Sequence, residues 1–360
     1  MVWVPSRGRN GMSVISKLTM LGAAGSGGDP IIGPDFILTI SNGGTKLFTY
    51  DVDNETLADV SSTYIPSGSP ASAGGYEGAG VNGNGTKAIT TGWYNPLICA
   101  TFTTSPTPWT KVNQSSLPNG GGGNSLGGTP TVNSRGNRVI VTSSPGTYYS
   151  SASGNSWTSL GYGGYLRACA GHNRFYLGNS SSSLRSYVTT GNPSYETTIN
   201  CGSNGRMSAS ERTYDPTSYT NPPTNEIIAV SGATSAIVLY TASSNTYSVI
   251  YQGSVSDSIP TTAGAGVTRD GTKAVFATSS TAYIIAIDPD NGTASLETSF
   301  SINYGVGFSG DVDIFPSGNA IAVMNSSTMA IYDLNGNELD TISAGNYGLC
   351  CIYDGINATA

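Results

Sequence analysis

The chain has 360 residues and a formal net charge of −7, from 15 Lys and Arg against 22 Asp and Glu. Charged residues are only 10% of the chain, and its 48 glycines are about twice the usual share. No basic cluster stands out, so we expect no nucleic-acid partner. No apolar run approaches the ~18–20 residues of a transmembrane helix, so we expect no membrane insertion. The composition favours short strands joined by many turns.

Residues 1–34 differ from the rest and are predicted to form an extended N-terminal arm. Residues 12–21 alternate apolar and polar side chains, which is compatible with one strand or a helical turn, and residues 22–28 have a hinge composition. Three interpretations remain open: a disordered terminus, a short secretory signal peptide around residues 18–24, and an apolar peptide that orders against a partner. Residues 35–360 are predicted to form one separate domain.

Seven copies of one strand-rich unit follow the arm. Runs of β-branched and aromatic residues begin near residues 36, 87, 138, 174, 226, 274 and 320, at an interval of about 47 residues. Turn residues such as Asp270, Gly271 and Gly292 separate these runs, as tight hairpins require. Such a repeat predicts an all-β, seven-bladed propeller of four-stranded antiparallel blades.

The predicted strands follow the chain blade by blade. Blade one is assigned 36–41, 46–51 and 57–61; blade two 76–81, 87–94, 97–102 and 109–112; blade three 129–133, 138–143, 147–151 and 156–160. Blade four is assigned 165–170, 174–178, 184–189 and 195–199, and blade five begins with 206–210 and 226–231. Between those last two lies a polar insert with three prolines, which should project from one face.

Blade one lacks its innermost strand, and residues 347–353 resemble the innermost strand of the other blades. We therefore predict that this C-terminal strand pairs with blade one and closes the ring, which removes the exposed edges of an open array. The residues predicted to meet at this closure are Leu349, Cys350 and Ile352 on one strand and Phe36, Ile37 and Leu38 on the other.

Two resemblances carry expectations about family and function. Residues 269–278 (RDGTKAVFAT) and 282–293 (AYIIAIDPDNGT) resemble the YVTN and WD-type β-propellers, although the Trp-Asp dipeptide is missing. Residues 13–25 (SVISKLTMLGAAG) resemble the N-terminal segment of virion proteins from tailed bacteriophages of marine bacteria. This second resemblance implies an attachment peptide that carries a surface module. The attachment residues are then the apolar ones, Val14, Ile15, Leu18, Met20 and Leu21.

Catalytic chemistry finds little support in the residues. His172 is the single histidine, which disfavours a Ser-His-Asp triad, and it falls where other blades carry a turn residue. Residues 151–157 (SASGNSW) resemble the Asp-box hairpin of sialidases, but Ser153 replaces its central Asp. The sialidase interpretation would recruit residues without a characteristic spacing: Arg167, Arg206, Glu211, Arg212 and Tyr214. Other glycosidases need paired carboxylates, and Glu77 is better explained as a solvated channel residue.

Metal and disulfide sites are also not expected. The five cysteines are odd in number and lack regular spacing, so we predict free, structural thiols. The Asp-rich turns after Asp51, Asp288 and Asp333 imitate calcium loops but lack the closing Glu. Each first Asp is instead predicted to cap its hairpin through backbone N–H groups. No cofactor is expected.

Tyrosines outnumber phenylalanines by 21 to 8, and aromatic residues fall near turns. Tyrosine suits recognition at a wet surface, although any single one is more often an ordinary strand residue. The candidate ligand-binding residues are Trp93, Tyr94, Tyr148, Tyr149, Tyr214 and Tyr219. The sequence thus favours a non-enzymatic virion surface component that contacts capsid or tail proteins and a host-surface glycan. The alternatives are a bacterial cell-surface or periplasmic binding propeller and, third, a sialidase-like glycan-cleaving enzyme.

Overall fold

The computed structural model describes most of the strands after the arm. The described residues are 35–41, 44–68, 78–82, 85–92, 98–104, 109–118, 130–133, 136–143, 146–161, 168–171, 174–178, 183–189, 191–200, 207–209, 226–231, 236–242, 246–253, 264–268, 270–304, 311–315, 318–325, 327–344 and 351–353. The arm and the attachment residues predicted in it lie outside this set.

Seven four-stranded antiparallel sheets form the blades of a propeller. Blade one contains β1 (Asp35–Ser41), β2 (Gly44–Asp51) and β3 (Thr56–Asp59), followed by the helical turn α1 (Ser61–Tyr64). Blade two contains β4 (Gly78–Val81), β5 (Lys87–Gly92), β6 (Ile98–Thr103) and β7 (Thr110–Ser116). Blade three contains β8 (Pro130–Val132), β9 (Arg138–Ser143), β10 (Gly146–Ser151) and β11 (Thr158–Ser159).

The remaining blades repeat the same order from the innermost to the outermost strand. Blade four contains β12 (Ala168–Ala170), β13 (Arg174–Gly178), β14 (Ser183–Val188) and β15 (Ser194–Asn200). Blade five contains β16 (Met207–Ala209), β17 (Ile227–Val230), β18 (Ala236–Ala242) and β19 (Thr246–Gly253). Blade six contains β20 (Ala265–Val267), β21 (Lys273–Ala277), β22 (Thr281–Asp288) and β23 (Thr293–Ser301). Blade seven contains β24 (Asp311–Ile314), β25 (Ala320–Met324), β26 (Thr328–Asp333) and β27 (Glu338–Ser343).

The last strand, β28 (Cys351–Tyr353), supplies the innermost strand of blade one and closes the ring. It runs antiparallel to β1, with Ile352 opposite Ile37 and Cys351 opposite Leu38. The predicted seven-bladed propeller and its closure by the C-terminal strand are therefore confirmed. Leu349 and Cys350, also predicted at the closure, lie outside the described residues.

Seven apolar cores, each between two consecutive blades, hold the ring together. Successive side chains of a strand point to opposite faces of its sheet, so one strand contributes to two cores. Ile37 packs with Phe315 of blade seven, whereas Leu38 packs with Ala88 of blade two. The core between blades seven and one shows that the circle is complete. Two stacked sandwiches would not produce this arrangement.

Among the described residues, a glycine turn joins the innermost strand to the second strand in four blades. In each turn the glycine has a positive φ and donates its N–H to the carbonyl three residues earlier. Glycine adopts this backbone conformation without a steric penalty, which explains its recurrence at the position. The four glycines are Gly85, Gly136, Gly271 and Gly318.

In the part of the chain that the structure describes, an aspartate caps the turn between the third and fourth strands in three blades. Asp288 Oδ1 accepts the backbone N–H groups of Asp290 and Asn291 at 3.1 and 3.0 Å. Asp51 and Asp333 accept two backbone N–H groups each in the same way. The predicted capping role of these aspartates is confirmed.

Within the described strands, the outermost strand carries a β-bulge at the same place in five blades. A bulge inserts one extra residue, twists the strand and redirects the side chains beside it. The register skips one residue in each case, and these residues are Val112, Glu196, Ile250, Glu297 and Leu339.

Several strands are shorter than predicted. The predicted outer strand of blade one continues to Ser61, but β3 ends at Asp59 and Ser61 begins α1. Asp59 Oδ1 accepts the Ser61 N–H at 2.9 Å, which turns the chain out of the sheet. The predicted outer strand of blade three covers 156–160, but β11 contains only Thr158 and Ser159.

Glycines on the innermost strands allow neighbouring blades to meet near the ring axis. A Cβ on Gly80 would lie 2.8 Å from the carbonyl oxygen of Pro130 on the next innermost strand. A Cβ on Gly266 would lie 2.5 Å from Asp313 Oδ1 and 2.8 Å from its Cα. Both contacts involve backbone that cannot move aside alone, so these positions accept no side chain.

We expect Gly266→Ala to lower the free energy of unfolding by about 1–3 kcal/mol, because the added methyl group would overpack the contact with blade seven. Gly191→Ala is the matched control, since a Cβ there meets nothing within 4 Å. It should change stability by less than about 0.5 kcal/mol. Denaturant unfolding followed by circular dichroism measures both. Equal stability of the two variants would contradict the close approach.

Candidate functional site

Of the predicted ligand-binding residues, the structure describes Tyr148 and Tyr149, and only Tyr149 lines a groove. Trp93, Tyr94, Tyr214 and Tyr219 lie outside the described residues. Tyr148 is only 5% exposed and packs in the core between blades two and three, so its ring offers no surface to a ligand. Tyr149, its neighbour on β10, points the other way and lines an open groove.

The groove lies between the outer strands of blades three and four and has a volume of about 580 Å³. The third strands of both blades, β10 and β14, contribute its aromatic walls. Tyr187 is buried in the core between the two blades and forms the floor. The described residues that line it are Tyr149, Ser159, Leu160, Arg185, Tyr187, Pro193 and Tyr195.

Tyr195 is the most exposed aromatic side chain of the groove, at 56%. The Arg185 guanidinium carbon lies over its ring, 5.8 Å from the centroid. The edge of Tyr187 meets the same ring at a centroid distance of 5.9 Å and an interplanar angle of 74°. The Tyr195 hydroxyl shares a 3.0 Å hydrogen bond with Thr198 Oγ1. These contacts fix the ring while leaving more than half of it open to solvent.

Arg138 of blade three holds one edge of the groove in place. Its Nε donates to the carbonyl oxygen of Gly191 at 3.2 Å, and its Nη2 lies 3.5 Å from Asn192 Oδ1. These two residues immediately precede Pro193, which lines the groove. Arg138 thus fixes the turn of blade four against blade three.

A second polar cluster is buried between blades four and five. Arg174, the first residue of β13, forms a bidentate pair with Glu196 through Nε at 2.8 Å and Nη2 at 3.0 Å. Ser186 Oγ donates to Glu196 Oε2 at 2.6 Å. The Tyr247 hydroxyl of blade five donates to Ser186 Oγ at 3.1 Å. The bulge in β15 points Glu196 into this network.

Glu226, which precedes β17, adds a second carboxylate and is 1% exposed. The Tyr176 hydroxyl donates to its Oε2, and Arg174 Nη1 lies 3.8 Å from the same oxygen. A Cβ on Gly171 would lie 2.6 Å from Glu226 Oε1, so the carboxylate fills the space that this glycine leaves. One guanidinium therefore serves carboxylates from two blades.

The protonation states of the cluster follow from burial and hydrogen bonding. Burial would raise the pKa of Glu196, but hydrogen bonds from Arg174 and Ser186 outweigh it and hold the pKa below its usual value. Burial raises the pKa of Tyr247 to about 12, and it raises that of Tyr176 further, with the nearby Glu226 charge adding to the effect. Glu196 is therefore ionised and both phenols are neutral at pH 7.

Blade six has a simpler version of the same contact. Lys273 begins the second strand, as Arg174 does, and it pairs with Glu297, the bulged residue of β23. The Glu297 side chain is 39% exposed, against 7% for Glu196. An ion pair between the second and fourth strands thus recurs in blades four and six. The acidic partner is largely buried in blade four and exposed in blade six. This recurrence favours a structural role for the cluster.

The sequence interpretation missed this cluster, although a signal was present. Basic residues begin the second strand at Lys87, Arg138, Arg174 and Lys273, and Glu226 occupies that place in blade five. Glu226 thus places an acidic residue where other blades carry a basic one, in the blade next to Arg174. This exchange of charge predicts an ion pair between blades four and five. The bulge that directs Glu196 inward has no comparable sequence signal.

The hairpin that resembles an Asp-box connects two blades. Gly154 has a φ of 63°, and its carbonyl oxygen accepts hydrogen bonds from Asn113 Nδ2 at 2.6 Å and Ser115 Oγ at 3.0 Å. Trp157 Nε1 donates to Ser115 Oγ at 2.8 Å. The hairpin therefore holds blade three against blade two. The single histidine, His172, lies outside the described residues. So do the residues that the sialidase interpretation would recruit, which are Arg167, Arg206, Glu211, Arg212 and Tyr214.

The remaining candidate chemistry is limited within the described residues. Cys99 and Cys169 are free and buried, as predicted, and burial raises the pKa of both thiols well above its usual value. No group of three or more His, Cys, Asp or Glu there is arranged to hold a metal ion. No described helix has the length and apolar character to cross a membrane.

No family model and no curated protein matches the chain. A functionally unknown protein from Desulfotomaculum acetoxidans superposes with a TM-score of 0.59 at 13% identity, covering 89% of this chain and 99% of its own. Two proteins provisionally described as 6-phosphogluconolactonases, from Bacteroides uniformis and Bacteroides fragilis, each give 0.63 at 10% identity, covering 89% and 92% of this chain and all of their own. These likenesses show the propeller fold. At such identities they carry no activity to this chain.

We expect Glu196→Gln to lower the free energy of unfolding at pH 7 by about 1–3 kcal/mol, because Arg174 loses its charged partner in a buried setting. Glu297→Gln, at the same bulge position in blade six, is the control and should cost less than about 1 kcal/mol, since its pair is exposed. Denaturant unfolding at fixed salt measures both.

The effect of Glu196→Gln should depend on pH. The folded pKa of Glu196 is lowered, so its stabilisation is complete above the unfolded value of about 4.3 and is lost as pH falls through the folded pKa. The stability difference between wild type and variant should therefore shrink in acid. A difference that stays constant down to pH 3 would show that the carboxylate charge contributes nothing.

Proposed function

We propose that the chain is a non-enzymatic surface component of a tailed-bacteriophage virion, attached through its arm and displaying the propeller for binding. The groove at the rim of blades three and four supports the binding part. Its Tyr149 and Tyr195 rings and its Arg185 guanidinium lie on the outer strands, where a partner can reach them. The resemblance of residues 13–25 to virion proteins supports the attachment part.

The buried cluster supports a structural role rather than catalysis. Arg174 already uses two of its nitrogens on Glu196, and Glu226 is 1% exposed. The Glu226 carboxylate therefore offers almost no surface to a substrate, and the Arg174 guanidinium is already paired. Tyr176 and Tyr247, whose phenol pKa values burial raises strongly, also lie inside a blade interface.

The attachment role can be tested by mass spectrometry of purified particles. We expect the chain to co-purify with phage in fixed stoichiometry. The paired substitution Ile15→Asp and Leu18→Asp should abolish incorporation, because it places charge in the apolar attachment segment. Val249→Asp is the control, since Val249 is an exposed apolar residue on the propeller and should not affect incorporation.

Other outcomes would replace the proposal. Recovery of the chain from envelopes of uninfected bacteria would favour the cell-surface or periplasmic binding propeller. Opening of a phosphorylated sugar lactone by the purified chain, or release of sialic acid or reducing sugar, would overturn the non-enzymatic assignment. Unchanged incorporation of the Ile15→Asp, Leu18→Asp variant would overturn the attachment role of the arm.

A further inference from the structure

We infer that the outermost strand of blade five, β19, is a dimer interface, at which it pairs antiparallel with the same strand of a second copy of this chain. The outermost strand of a blade is a sheet edge, since its sheet continues on one side only. β19 pairs with β18, and no other described strand pairs with its outer side. Its outward N–H and C=O groups therefore suit pairing with an added strand.

β19 differs from the other outermost strands in its charge. Its sequence is TYSVIYQG, without an Asp, Glu, Lys or Arg. Each of the other described outermost strands carries at least one charged residue, except β11, which has only two residues. These charged residues are Asp59, Lys111, Glu196, Glu297, Glu338 and Asp340. Charged side chains are one means by which proteins keep sheet edges from pairing, and β19 lacks them.

The side chains of β19 also favour strand pairing. Five of its eight residues are β-branched or aromatic, the types that favour strands. One of them, Val249, is apolar and yet 44% exposed. The bulge skips Ile250, but the register to β18 is regular from Thr246 to Val249. These four residues offer another strand a regular segment about 10 Å long.

A second copy of the chain is the partner that an uncharged edge fits. A dimer with a two-fold axis places the same surface on both subunits, so each edge residue lies near its own counterpart. A charged edge would then meet its own charge and be repelled. The net charge of −7 opposes self-association over the rest of the surface, which leaves β19 as the favoured contact. One strand from each copy is a small contact, so the dimer should be reversible.

Sedimentation velocity of the full chain over a roughly hundredfold range of concentration tests the dimer. We expect monomers at the low end and dimers at the high end. Val249→Lys should weaken dimerisation roughly tenfold or more, because it brings two like charges within about 10 Å of each other. Val249→Thr adds no charge and should retain the dimer. An equimolar mixture of Val249→Lys and Val249→Asp should dimerise again, since the two charges are then opposite.

Leu296→Lys is the matched control. Leu296 is exposed at 49% and directly precedes the bulged residue of blade six, as Val249 does in blade five. The same added charge at this site should leave the dimer unchanged. Circular dichroism and the unfolding midpoint show that each variant is folded, which we expect because both side chains are exposed.

Hydrogen exchange followed by mass spectrometry shows whether β19 itself forms the contact. The amides of Thr246–Gly253 should gain protection as the wild-type concentration rises, whereas those of Val249→Lys should not. The amides of β23 should not change in either protein. Four results would overturn the inference: a monomer at every concentration, an oligomer larger than a dimer, a dimer that Val249→Lys leaves intact, or unchanged exchange in β19.

The dimer interface goes beyond the proposed virion role and does not rest on it. Dimerisation is measured on the purified chain and incorporation on particles. Val249→Asp alone should be monomeric, because its charge repels the second copy, while its incorporation through the arm should be unchanged. Failure of the dimer is thereby distinguished from failure of the virion role.

Discussion

The close approach of the innermost strands near the ring axis is the constraint on which the structure depends. Backbone of one blade lies where a Cβ on Gly80 or Gly266 of its neighbour would stand. Short strands of glycine, alanine and other small residues fit there, as in β4 and β20. The sheets diverge outward from this hub, so larger side chains fill the space between their outer strands. Grooves at the rim are a consequence of that divergence.

The repeated bulge in the outermost strands changes which side chains face the neighbouring strands and which face solvent. In blades four and six the residue at the bulge, Glu196 or Glu297, meets the basic residue that begins the second strand. The bulge also leaves the preceding residue, Tyr195 or Leu296, exposed at the rim. A single backbone device therefore sets both a structural ion pair and the position of a surface side chain.

Much of the fold could be predicted because its signals are local and repeated. Among the described residues the turn glycines recur in four blades and the capping aspartates in three, and the strand runs recur in all seven. The missing first strand of blade one pointed to the C-terminal run that contains Ile352. The ends of strands were less predictable, since local hydrogen bonds from the Ser61 N–H and hydroxyl to Asp59 decide where β3 stops.

The candidate site was predicted only in part, because its residues come together through packing between blades. Tyr148 and Tyr149 are equivalent in the sequence, but strand alternation buries the first and turns the second toward the groove. Arg185 and Tyr195 become neighbours through the pairing of β14 with β15 and its bulge. Neither composition nor residue spacing predicts that strand register, so nothing in the sequence singled out Arg185.

In blade four, two consecutive residues link the groove to the buried ion-pair cluster. Tyr195 lines the groove, and Glu196 belongs to the cluster. Glu196 is held by Arg174, Ser186 and Tyr247, and this network fixes the bulge in β15. The fixed bulge determines where Tyr195 leaves the strand and meets Arg185. The buried pair thereby orients the exposed ring. Blade six repeats the pair and the bulge but presents leucine at the rim, so the repeated frame supplies the position and a few side chains supply the chemistry.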